Sequence, residues 1–245
     1  MKVLKIFILV LVFSSLFSTR LSYAESLKRS FAWPLEVRQL DPHNTSSDTL
    51  FSLIAHYLAP LLDISPDDNR VIPALAESWD ISNDGKTITL HFRENAYWSD
   101  GTLITAQQAK QSIERALSSD TVSDAQTLLT PIEGAQERID GQKNFPLGVQ
   151  APDRFTLIFK LMRADPDFLR VLAFPIASPI PTHQIDSSSN YPPIETLSSS
   201  GPYRLVKTAK HSADFIANEK YFGEQPQFTQ VSFIFAEYKN LINGF

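Results

Sequence analysis

The hydrophobic pattern of the chain changes period several times, and each change predicts an element. Over residues 48–62, apolar side chains fall at Leu50, Leu53, Ile54, Tyr57, Leu58 and Leu61. That is the spacing of one helical face, and Ser47 or Asp48 stands where its cap belongs. Over residues 77–93 the period drops to two. Trp79 and Ile81 lead into Asn83-Asp84-Gly85, after which Ile88, Leu90 and Phe92 alternate with Thr87, Thr89 and His91. This predicts a hairpin. Thr105, with Gln108 three residues on, predicts a capping box. Ala109, Ile113, Ala116 and Leu117 would form the buried face of the helix behind it. Phe155, Leu157, Phe159 and Leu161 predict one side of a strand. Asp165-Pro166 predicts the opening of a short helix, with proline at the first helical position. Residues 202–207 and 230–235 read as further strands, and 236–242 as a helix. Residues 186–200, with three-serine runs and Pro192-Pro193, read as an exposed loop. Helices and strands are interspersed without an internal repeat, so the expected class is α/β in the broad sense, a mixed α+β arrangement.

The first 24 residues stand apart. Lys2 and Lys5 precede an apolar run over 6–13, and Ser22-Tyr23-Ala24 puts small residues at the positions a signal peptidase reads. The expectation is a secretory signal peptide cleaved after Ala24 and a periplasmic product. A transmembrane anchor is the alternative, but the run is shorter than the ~20 residues that span a bilayer core. Removing Lys2, Lys5 and Arg20 from the 22 basic residues leaves 19 against 27 acidic ones, a formal charge of −8. No basic stripe is present, so a nucleic-acid partner is not expected. With no cysteine there is neither a disulfide framework nor a thiolate metal site. The chain must be stabilised by a core.

Catalytic motifs are missing from the sequence. His43, His56, His91, His183 and His211 show no metal-ligand spacing. There is no Gly-x-Ser-x-Gly elbow, and Ser199-Ser200-Gly201 is explained by turn chemistry. Eight glycines form no phosphate-binding loop. Asp67-Asp68-Asn69 fails as a calcium loop, because Ile72 and Ser78 would occupy the positions needing Gly and Glu. It reads instead as a solvated turn after Pro66. Neither a metal nor a cofactor is expected. Trp79, Tyr97 and Trp98 read as core and edge packing, with ligand stacking as the sharper alternative.

The order of motifs then becomes informative. Pro73-Ala-Leu-Ala-Glu-Ser-Trp79, Ser82-Asn-Asp-Gly85, Thr87-Ile-Thr-Leu-His-Phe-Arg93, Trp98-Ser-Asp-Gly101 and Thr105-Ala106 resemble, in sequence, the signature of the family 5 extracellular solute-binding proteins. Glu36-Val37 and Leu40-Asp-Pro-His43 resemble that family's first strand and its exit. Pro131-Ile-Glu-Gly134, Leu147-Gly-Val149, Phe174-Pro175, Ser200-Gly-Pro-Tyr203 and Asn218-Glu-Lys-Tyr-Phe222 resemble its later landmarks. The resemblance implies a periplasmic-binding-protein type II-like clamshell of two lobes that closes over a peptide and presents it to the membrane permease of an ABC importer. It implies that this chain is a truncated form carrying the first lobe, acting as a monomer. Residues 25–60 would begin that lobe, 61–173 would form an inserted subdomain, and 174–245 would be the return segment. The family's cleft segment falls on Ser46, Ser47 and Asp48, where a helix-cap role competes with ligand contact. A cleft tyrosine of the family falls near Ala125 and a cleft histidine at Phe174. A remnant or interaction module that no longer binds peptide is the alternative.

Overall fold

The computed structural model describes residues 26–31, 37, 40–185, 191–194 and 196–235. The expected leader, Glu36 and the helix expected over 236–242 lie outside the described residues. Ten strands are present among the described residues: β1 (Ser26–Phe31), β2 (Leu62–Ile64), β3 (Val71–Pro73), β4 (Ala76–Ile81), β5 (Thr87–Phe92), β6 (Val149–Gln150), β7 (Thr156–Lys160), β8 (Tyr203–Ala209), β9 (Ser212–Ala217) and β10 (Gln230–Phe235). Four α-helices accompany them: α1 (Asp48–Tyr57), α2 (Ala106–Ala116), α3 (Ala135–Ile139) and α4 (Phe168–Val171).

The strands form two four-stranded sheets, ordered β4-β5-β7-β6 and β1-β10-β9-β8, and a β2-β3 pair. Every pairing is antiparallel except that of β1 with β10, which is parallel. Two apolar cores follow. In the first, Ile88, Leu90, Leu157 and Phe159 pack under Ala109 and Ile113 of α2. Phe159 meets Phe168 edge-on at 5.6 Å. In the second, Leu53, Ile54 and Tyr57 of α1 pack on Leu205, Phe215 and Phe233.

The hairpin expected over 77–93 is β4-β5, and Gly85 takes the positive φ of 69° that its turn requires. The capping box is formed as expected. Thr105 Oγ1 accepts from Gln108 N, and Gln108 Oε1 accepts from Thr105 N at 3.0 Å. Gln108 Oε1 also accepts from the indole of Trp98, at 3.2 Å. Trp98 is therefore core packing, fully buried.

Four expectations need correction, the last of them at residues 197–200. The helix expected over 48–62 ends at Tyr57, and Leu58 is already extended at φ −110° and ψ 126°. Pro60 explains the stop, because proline has no N–H to continue the ladder and pushes the residue before it out of the helical region. Asp165-Pro166 does not open a helix either: these residues form a turn, and α4 begins only at Phe168. Val37 is outside any strand, its N–H donating to the Lys210 carbonyl at 2.9 Å.

The exposed-loop expectation fails at its C-terminal end. Leu197, Ser198, Ser199 and Ser200 are buried, while residues 186–190 and 195 lie outside the described set. The N–H groups of Ser200 and Gly201 both donate to the Tyr57 carbonyl at 2.9 Å, and Ser200 Oγ accepts from Ala59 N at 2.9 Å. This loop supplies the partners that the C-terminal end of α1 would otherwise lack. Gly201 is required by close approach: a Cβ there would lie 2.9 Å from the His56 carbonyl oxygen.

Candidate functional site

Beneath the expected ligand segment lies a buried polar network. Asp41 is fully buried. It accepts from His43 N (2.9 Å), from Asn44 Nδ2 (3.0 Å), and from both guanidinium nitrogens of Arg115 on α2 (2.9 and 2.6 Å). A two-pronged charged pair of this kind is strong and directional. Arg115 Nη1 also lies 2.8 Å from His43 Nδ1. A guanidinium cannot accept, so Nδ1 accepts and the ring proton sits on Nε2. Burial is the largest influence on His43 and lowers its pKa to about 4. The Asp41 carboxylate and the Ile176 carbonyl oppose that shift, and Arg115 adds to it. The imidazole is neutral at pH 7.

Two tyrosines extend the network. Tyr57 donates to the Leu40 carbonyl, and its oxygen lies 2.8 Å from that of Tyr191. A phenol has one hydrogen, so Tyr191 donates to Tyr57. Burial pushes both phenols above their usual pKa. The Arg115 guanidinium sits over the Tyr191 ring, 5.8 Å from its centroid. Residues 40–44 are thereby held from α1, from α2 and from Tyr191 at once.

The segment that follows supplies three of the expected positions. Ser46 Oγ accepts from Asp124 N at 2.9 Å. Ser47 is the N-cap of α1, its hydroxyl accepting from Leu50 N. Asp48 is exposed in the first helical turn, where a negative charge suits the helix dipole. Ala125 lies half-buried in a 3-10 turn, Asp124–Leu129. Phe174 is 51% exposed and immediately precedes a second 3-10 turn, Pro175–Ala177. The second turn packs against both the first turn and α1. The elements that carry Ser46, Ser47, Asp48, Ala125 and Phe174 therefore meet in one region. Of the two serine hydroxyls, each is engaged by a backbone N–H of this chain.

The sequence of this chain matches the family described as "Bacterial extracellular solute-binding proteins, family 5 Middle" over residues 70–243. The chain belongs to that family. It is 33% identical over 189 residues to the periplasmic oligopeptide-binding protein OppA of Escherichia coli strain K12, covering 76% of this chain and 33% of that protein. It is 29% identical over 204 residues to the nickel-binding periplasmic protein of the same organism, covering 82% of this chain and 36% of that one. Among solved structures, the Escherichia coli murein tripeptide binding protein MppA superposes with a TM-score of 0.80 at 26% identity, over 91% of this chain and 45% of that one. The chain thus spans about a third of the length of these two curated relatives and under half of that structure. Its mixed α/β architecture is that part of the solute-binding fold.

This solute-binding family is not an enzyme family. In the polar network, Arg115 and Asp41 are paired with one another. Among the described residues, no group of three His, Asp or Glu side chains is placed to hold a metal ion. No helix among them is long and apolar enough to cross a membrane. An open cavity of about 800 Å³ adjoins the network, with Asn44, Gln111, Glu114, Arg115 and Lys143 in its wall. None of the five expected positions lines it. Its charges have partners of their own, Arg115 with Asp41 and Lys143 with Asp120 at 3.5 Å. It is an open recess that reaches Asn44 at the start of the 44–48 segment. The 44–48 segment and the two 3-10 turns remain the candidate site.

Sequence reasoning missed Asp41, Arg115 and Tyr191, which fix the segment without lining it. It also missed two exposed apolar side chains, Val122 just before the turn that carries Ala125 and Leu128 on it. Their exposure depends on tertiary packing, and no local pattern signals it.

Proposed function

We propose that the chain is the peptide-binding component of an ABC importer, exported by a leader cleaved after Ala24 and working outside the cytoplasmic membrane. The observation that carries this reading is its 33% identity with an oligopeptide-binding protein over three quarters of the chain. In this reading the wall built from Ser46, Ser47, Asp48, Ala125 and Phe174 faces the ligand. Residues 25–60 and 174–245 form the body of the lobe and 61–173 an inserted subdomain. The first apolar core draws mostly on 61–173 and the second mostly on 37–59 and 180–235, with Leu75, Ala96, Trp98 and Ile104 of the inserted stretch packed into the second. The protein acts as a monomer and hands its ligand to a membrane permease.

A second reading, a family member that does not bind peptide, is favoured by one observation: both serine hydroxyls at the wall are engaged internally. Calorimetric titration of the chain with mixed tri- to pentapeptides separates the two. Heat at micromolar peptide supports the receptor reading. Silence, with a folded circular-dichroism spectrum, overturns it.

A further inference from the structure

The candidate wall has a distinct chemical character. Three large apolar side chains stand exposed on its two adjoining turns and their approaches: Val122 at 72%, Phe174 at 51% and Leu128 at 36%. The backbone ties these stretches together. Val122 N donates to the His43 carbonyl, and Asp124 N donates to Ser46 Oγ. Residues 44–52, 121–130 and 172–178 contain no lysine or arginine. The only charges they carry are Asp48 and Asp124, both exposed. Arg115 lies behind the wall, its guanidinium held by the buried Asp41 carboxylate. The two serine hydroxyls each accept from this chain and keep an O–H to donate, so the wall offers neutral hydrogen bonds but no cation. An acidic side chain meets two like charges and no cation. An apolar side chain can shed water against the Phe174 ring.

We propose that this wall makes the site selective for peptides that place an apolar side chain against Phe174, with Asp48 and Asp124 turning away acidic side chains. The inference rests on the peptide-binding reading above and adds the ligand class. Attraction and repulsion act together, as specific sites commonly require.

The test is calorimetry of the full chain with tripeptides Ala-X-Ala, where X is Leu, Phe, Ala or Glu. The Leu and Phe peptides should bind about tenfold or more tighter than the Glu peptide, the size expected when one apolar side chain leaves water. Phe174→Ser should bring Leu and Phe down to the level of Ala. Its ring is half exposed, so the variant keeps its fold, which circular dichroism verifies. Asp48→Asn combined with Asp124→Asn should narrow the gap between the Glu and Leu peptides, chiefly by raising affinity for the Glu peptide. Equal affinity across X, or a preference that survives Phe174→Ser, overturns the inference while leaving peptide binding in place. No binding of any peptide overturns both.

Discussion

The neutral, buried His43 makes the fold sensitive to acid in a way that can be worked out in advance. Its pKa is about 4 in the folded chain against 6.5 when exposed. As pH falls below 6.5 the unfolded chain takes up this proton first, so stability declines until pH passes the folded value, and no further below it. The full loss is about 3 kcal/mol, of which roughly 2.5 has gone by pH 4.5. His56 is shifted downwards too, chiefly by burial, so the wild-type curve alone does not isolate His43. The comparison is with His43→Asn, whose amide oxygen can accept from Arg115 where Nδ1 does now. Urea unfolding of both proteins at about pH 7 and about pH 4.5 gives two stability losses. The wild type should lose about 2 kcal/mol more than the variant. Equal losses would refute the reasoning, because they would mean that His43 already carries its proton in the folded network.

Further outcomes follow from individual contacts. Arg115→Ala strands the fully buried Asp41 carboxylate and should cost about 3–5 kcal/mol in urea unfolding. Gly201→Ala places a Cβ 2.9 Å from the backbone oxygen of His56, and should cost about 1–3 kcal/mol by the same assay. Thr105→Ala removes one half of the capping box on α2 and should cost about 1 kcal/mol, read as a lower midpoint of thermal unfolding.

What could be read from the sequence was local. The β4-β5 hairpin is fixed by its own alternation and by Gly85, and α2 by the Thr105–Gln108 box. The turn after Pro66 is where the acidic run predicted it, with Asn69 at φ 58° between β2 and β3. What failed was either interrupted or distant. Leu58 and Leu61 continue the helical period of α1 and are buried, yet Pro60 has already turned the chain into β2. The strands β2 and β3 are three residues each, too short for alternation to show. Residues 198–200 have the composition of a loop and the burial of a core segment, because they satisfy backbone groups at the end of α1. The parallel pairing of β1 with β10 joins Ser26 to Gln230, and Asp41 meets Arg115 across 74 positions. Such contacts leave no trace in spacing. The motif order that marked the family was legible because it spans much of the chain. The expected site residues came from that resemblance, and the structure adds that their elements converge while two of their hydroxyls are already engaged.

In the proposed receptor, the wall built from residues 44–48, the Asp124–Leu129 turn and Phe174 receives a peptide. Hydrogen exchange read by mass spectrometry, with and without saturating Ala-Leu-Ala, tests it directly. Slowed exchange confined to peptides from 44–52, 121–130 and 172–178 is the expected result. Binding that leaves those segments unchanged, or that protects the recess around Gln111 and Lys143 instead, would contradict it.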